Sequence, residues 1–262
     1  MRLVGDPAFP QLNFSDDSSK DLTDQLVSGF EHKLPEMGSL DGYILMRNSP
    51  SCGMERVKVY QPNGHAHQTP GMGVFARALK EKYPLMPIEE EGRLNDDVLY
   101  DNFVTRVYAY HNFRKEVLDG PSILKLIRFH ASYKYLLMAH NQQQAKTLGR
   151  LLADDDKGLS IESLTERYFK GFMQALSKPA NRRGHTNALL HILGYLKRSV
   201  PSVSRQHIES SILKYKDGIT PLATPLTLLT HYLGQFGSQY INEQRYLQPY
   251  TENIHPIRQY CY

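Results

Sequence analysis

A chain of 262 residues sits between one large domain and two ordinary ones, and at that size roughly 70–75% of the unfolded surface can be buried, so the core needs no disulfide or metal. Its two cysteines, Cys52 and Cys261, exclude a disulfide framework and fit a reducing cytoplasm. No basic segment followed by an apolar run opens the chain, and stretches such as "YLLMA" fall far short of the ~18–20 apolar residues that cross a bilayer, so a soluble protein without a membrane partner is expected. The net charge of +4 hides an asymmetry: residues 1–118 carry 13 Lys/Arg against 17 Asp/Glu, and residues 119–262 carry 18 against 10. A basic half is the usual footprint of a polyanion such as RNA, although many helical proteins are modestly basic without touching nucleic acid.

In chain order, "RLV" at residues 2–4 reads as a strand that begins abruptly. "DLTDQLVSGFEHKL" spaces Leu22, Leu26, Val27 and Phe30 as a helix after an acidic, Ser-rich start that can cap it. "GYILMR" and "RVKVY" are short apolar runs that read as strands, separated by the Ser-Pro-Ser-Cys-Gly turn. "QPNGHAHQTPGMG" is turn-rich, and "VFARALKEKY" reads as a helix stopped by Pro84. This β-α alternation predicts a small α/β domain with a largely parallel sheet. From about Asn95 the pattern turns helical. "NDDVLYDNFVTRVYAYHNFRKEVLD" opens with a capping Asn and an acidic first turn, and further helices are predicted over 121–140, 142–153, 160–177, 182–199, 204–216 and 221–236. Short polar connections such as "DDDKG", "SKPAN" and "SVPS" join them, and none is a flexible linker. The expected fold class is α+β: a partial α/β domain with a trailing helix over residues 1–118, then an all-α bundle over 119–262.

Three clusters could carry chemistry. Cys52, flanked by Ser51 and Gly53 after an apolar strand, sits where the chain turns sharply and backbone amides become available. That placement suits a thiolate nucleophile or an iron ligand, and equally a buried, inert thiol. "PIEEEGRL" places Glu89, Glu90 and Glu91 ahead of a Gly-Arg pair. Such a charge run is ordinarily a solvated face, but a carboxylate turned into a pocket would become a usable proton donor or acceptor. In the basic half, "RFHASYKYLLMAH" brings Arg128, His130, Lys134 and His140 together. "KPANRRGHTNALLHILGYLKR" gathers Arg182, Arg183, His185, Asn187, His191 and Lys197 at a helix start and along its length. Cations mixed with aromatics and amides suit phosphate contact and base stacking, and they also suit a polar network joining two helices. The histidines lack a tight metal-ligand spacing.

These residues also carry a resemblance. "LDGYILMRNSPSCGMERVKVY" and "GVFARALKEKYPLMPIEEEGRL" resemble the second half of the TudS-like thiouracil desulfurase domain. "FHASYKYLLMAHNQQQAKTLGRLLA", "KPANRRGHTNALLHILGYLKR", "PLATPLTLLTHYL" and "YLQPY" are similar to the YbgA-like domain that often follows it. The two-domain order resembles that of tRNA 4-thiouridine desulfidases. The resemblance implies iron–sulfur-dependent removal of sulfur from thiolated uracil in tRNA, with a 4Fe-4S cluster held by three cysteines and one iron open to the substrate's sulfur. It implies Cys52 as an iron ligand supported by Ser49 and Ser51, a glutamate of 89–91 in proton transfer, and Arg128, Lys134, Arg182, Arg183 and Lys197 on phosphates. The family's Ser-Cys-Leu-Leu-Gly and Cys-Pro-Glu motifs, which supply the other two cluster cysteines, are not in this sequence, and one thiolate cannot hold such a cubane. The expectation is therefore either a segment upstream of Met1 or a protein that has lost the reaction and kept nucleic-acid or partner binding.

Overall fold

Residues 1–17, 20–153 and 158–251 are described by the computed structural model, and they divide into two units, Met1–Asn95 and Asp96–Tyr262. The α+β class holds, and among the described residues the strands fall in the first unit. The "DDDK" connection at 154–157 and Cys261 lie outside the described residues.

The first unit runs β1 (Arg2–Val4), β2 (Gln11–Asn13), α1 (Thr23–Glu31), β3 (Tyr43–Leu45), β4 (Val59–Tyr60), α2 (Val74–Lys82) and β5 (Ile88–Glu90). The strands form two small sheets rather than one. In the first, β1 pairs antiparallel with β2 (Leu3 opposite Leu12) and parallel with β4 (Leu3 opposite Val59). In the second, β3 and β5 run parallel with Leu45 opposite Glu90. Because side chains alternate across a strand, Leu3, Leu12, Val57 and Val59 point together into a core on which Leu22, Leu26 and Val74 pack. Asp21 holds the entry to α1 by accepting the Thr23 amide at 2.8 Å.

The described residues of the second unit form helices and turns alone. Its first helix, α3 (Asp97–Phe113), is capped by Asp96, whose carboxylate accepts the Leu99 amide at 3.0 Å, and not by Asn95, which lies in a preceding 3-10 turn. It runs on into a π-helical turn, Arg114–Leu118. Then come α4 (Ile123–His140), α5 (Gln142–Ala153), α6 (Ile161–Leu176), α7 (Arg182–Leu193), α8 (Ser202–Lys216), α9 (Ala223–Phe236) and the short α10 (Gln239–Asn242). Ser122, Ser160 and Asn181 cap α4, α6 and α7 with side-chain oxygens, as helix entries favour. Helix α7 stops short of residue 199, since the chain tightens into a 3-10 turn at Gly194–Leu196.

Aromatic rings fill the centre of this unit. Phe113 stacks on Phe169 at 4.2 Å, and Phe129 packs against Phe113 edge-on at 5.0 Å and against Tyr133 at 4.5 Å. Helices α4 and α7 approach so closely that a β-carbon at Gly184 would collide with the Ala139 carbonyl. Among the described residues no helix is long and apolar enough to cross a membrane.

Candidate functional site

The Cys52 turn is built from hydrogen bonds that reach it from three directions. Within the turn, Ser49 Oγ accepts the Ser51 and Cys52 amides at 3.2 and 3.1 Å. On one side stands α2. Its first amides have no partner inside the helix, and here the turn's carbonyls serve them: Val74 donates to Pro50 O at 3.1 Å, and Phe75 and Ala76 donate to Ser51 O at 2.9 and 3.1 Å. Gly73 makes that approach possible, because a β-carbon there would overlap the Ser51 carbonyl. On the other side stands β5. The register that sets Glu90 opposite Leu45 carries its carboxylate to the far end of the turn, where Oε1 accepts the Met54 and Glu55 amides at 2.8 and 3.3 Å.

Within this frame Cys52 is half-buried, and its thiol faces Ser51 Oγ at 3.7 Å. Two non-glycine residues of left-handed conformation bracket the turn, Asn48 (φ 57°) and Arg56 (φ 62°). Asn tolerates that region; an Arg held there costs on the order of 1 kcal/mol.

The three glutamates separate. Glu89 and Glu90 are 6% exposed, which overturns the solvated face that the charge run suggests. Glu89 is paired with Arg93 Nε at 2.7 Å, and this hydrogen bond holds the Arg93 guanidinium above its usual range. Glu91 stays exposed and accepts the Arg47 amide at 2.8 Å. A buried carboxylate needs paired donors, and these two have them: Glu89 in Arg93 and the Glu90 amide, Glu90 in the Met54 and Glu55 amides, so it is Glu90 that holds the far end of the turn. Ser49 holds the turn, and Ser51 alone of the sequence candidates touches the thiol.

The donor set can be tested against a cluster. Cys52 is the one cysteine among the described residues, and no group of three or more His, Cys, Asp or Glu side chains there converges on a point. Three thiolates are needed and one is present, so these residues do not fit a 4Fe-4S cluster.

In the helical unit the basic candidates divide by exposure. Arg128, Lys134, Arg183, His191 and Lys197 are exposed, on α4, on α7 and just beyond it. Lys134 lies over the Tyr135 ring at 5.5 Å, and Asn187 is half-buried. The remaining four are bonded within the helical unit. Arg182 donates to Tyr215 O at 2.6 Å, and its guanidinium lies 4.6 Å above the Tyr215 ring. His140 donates from Nδ1 to Lys178 O at 2.8 Å. His130 shares a 3.1 Å hydrogen bond with the Tyr168 hydroxyl; burial, reinforced by the Lys134 charge, lowers its pKa to about 4. His185 is 1% exposed and bonded to the Tyr246 hydroxyl at 3.1 Å. It is therefore a core residue and not an RNA contact, a correction to the sequence expectation. Each of these four is thus bound to a partner within the helical unit, and the exposed cations are the others.

The chain thus combines an α/β unit carrying a buttressed thiol turn with a helical unit whose exposed cations cluster on packed helices. Residues 1–91 match the 2-thiouracil desulfurase family, and residues 134–251 match DUF1722, a family described as protein of unknown function. Over 148 residues the chain is 30% identical to "Uncharacterized protein YbgA" of Escherichia coli (strain K12), which covers 56% of this chain and 88% of that relative. The chain belongs to the YbgA family and carries a 2-thiouracil desulfurase-type domain ahead of its helical one. No solved structure matches it.

Proposed function

We propose that the protein acts on thiolated uracil in tRNA, 4-thiouridine, with sulfur handled at the Cys52 turn and the helical unit contacting the RNA backbone. The observation that carries this is the construction of the turn. Two buried or half-buried side chains, a helix start and a close-approach glycine all serve to hold one half-buried thiol. An inert core thiol needs no such frame. The family supports the coarser statement, a desulfurase-type protein. The finer one draws on the exposed cations, Arg128, Lys134, Arg183 and Lys197, which stand where phosphates could reach them.

An iron–sulfur cluster belongs to this proposal only as Cys52's contribution of one thiolate, and no step is drawn through it. The donor count favours a second reading, a nucleic-acid-binding or partner-binding protein without catalysis. Anaerobic purification with iron and sulfide analysis separates the two: a colourless, iron-free protein counts for the second. RNA binding is tested by filter retention of tRNA on the Arg183→Glu/Lys197→Glu variant. Retention should fall, with the slope of log affinity against log salt reduced by about 1 for each phosphate no longer neutralised. Wild-type retention and slope would remove RNA from the proposal.

A further inference from the structure

Beside the Cys52 turn lies a cavity of about 510 Å³ whose lining includes Arg2, Arg56, Lys58, Tyr60, Ser15 and Asn48, and no carboxylate. Strand geometry explains the gathering. Val57 and Val59 point into the core, so Lys58 and Tyr60 alternate to the opposite face, while Arg56, at φ 62°, leaves the extended run and still lines the cavity. Strand β1 runs parallel to β4 with Leu3 opposite Val59 and Val4 opposite Tyr60. The same register, extended back by one residue, sets Arg2 beside Lys58. Three cations thus line one cavity.

Their company is unusual for this unit. Residues 1–95 hold 10 Lys/Arg against 13 Asp/Glu, yet no ion pair engages Arg2, Arg56 or Lys58 among the described residues. The Arg2 guanidinium lies 5.2 Å from the Tyr60 ring centre, and its Nε is shut from solvent without a hydrogen-bond partner among the described residues. Arg56 is held at φ 62°. Like charges side by side repel, and a shielded N–H without an acceptor has given up its water for nothing. An anion with several oxygens relieves both. A phosphate suits it: arginine forks match its oxygens, a lysine supplies a point charge, and Ser15 and Asn48 offer neutral donors.

We infer that this cavity is a phosphate-binding site of the Cys52 unit. Asn48 and Pro50, which belong to the turn, form part of its wall, so a bound phosphate lies next to the thiol's own loop. Resting on the thiolated-uracil reading above, this makes the substrate a nucleotide, free or within RNA, in preference to the bare base.

The test is a calorimetric titration of the full chain with inorganic phosphate, uridine 5′-monophosphate, uridine and a short oligouridylate. Uridine monophosphate should bind at least tenfold tighter than uridine and be displaced by inorganic phosphate. Lys58→Gln, and Arg56→Gly, which keeps the left-handed backbone accessible, should each weaken phosphate at least fivefold, while Lys33→Gln leaves it unchanged. Circular dichroism identifies the folded variants. A preference for the monophosphate assigns a phosphomonoester, and a preference for the oligonucleotide a phosphodiester of RNA; either upholds the site. Equal binding of uridine and its monophosphate, or wild-type phosphate affinity in both cavity variants, overturns it. None of these probes carries sulfur, so the phosphate site stands or falls separately from the thiolated-uracil reading.

Discussion

Replacing Glu90 with alanine removes the carboxylate that ties β5 to the far end of the Cys52 turn. The residue is 6% exposed, and its Oε1 accepts two amides, at 2.8 and 3.3 Å. Hydrogen bonds to an ionised group contribute about 1.5–3 kcal/mol each, with the longer of these two at the weak end. Alanine also leaves the Met54 and Glu55 amides without their acceptor, while the removed carboxylate no longer has to be kept out of water. The balance is a loss of about 2–4 kcal/mol for Glu90→Ala. Glu90→Gln keeps an acceptor oxygen and should lose about 1 kcal/mol, as should Glu91→Ala, which removes one exposed bond. Urea unfolding measures these differences in the transition of the first unit. Thiol labelling of Cys52, in a Cys261→Ser background, measures the turn directly and should accelerate in Glu90→Ala alone. If Glu90→Ala proves no more destabilising than Glu91→Ala and labelling is unchanged, the carboxylate does not buttress the turn.

Other expectations concern the helical unit. His130 titrates in the folded protein near pH 4, well below its ordinary 6.5, because burial and then the Lys134 charge disfavour its imidazolium. Its neutral form therefore contributes stability that is complete above pH 6.5 and lost as pH falls from 6.5 to 4, by up to about 3 kcal/mol. The urea midpoint of His130→Gln should vary less with pH across that window than the wild type's, and parallel profiles would contradict this. Gly184→Ala should cost about 1–3 kcal/mol by forcing α4 and α7 apart, seen as a lowered melting temperature; an unchanged one would show that the helices separate freely. Arg182→Glu should lower stability, because it removes both the bond to Tyr215 O and the packing on its ring, whereas Arg183→Glu should leave the melting temperature near that of wild type. Equal stability losses from the two would refute their division into a packing and a surface residue.

The long helices were legible because their buried residues recur with helical spacing and their ends carry Ser, Asn or Asp. Even so, the cap of α3 falls one residue later, at Asp96, since adjacent Asn and Asp look alike until one carboxylate is seen on the Leu99 amide. Strands β2 and β5 were not legible. Each has three residues, too few to show alternation, and "IEE" reads as surface by composition. Glu89 is buried against a local partner, Arg93, four residues on, whereas Glu90 is buried because the amides of residues 54 and 55 come to it through the fold. Local pattern carries no trace of a partner more than thirty residues away. The same limit applied to the basic clusters: Arg182 and Arg183 are neighbours of one type, and only the position of Tyr215 assigns one to packing and leaves the other on the surface. The cationic cavity was missed for a related reason. Its members come from residues 2, 15, 48, 56 and 58, and parallel pairing of β1 with β4 is what assembles most of them.

The amides of Phe75 and Ala76 end on the same carbonyl, that of Ser51, one residue before the thiol. The first amides of α2 can therefore exchange their protons with water only when their bonds to the turn open. In deuterium these two amides would act as a clock for the Cys52 turn, slowing when something binds there and quickening when it is strained.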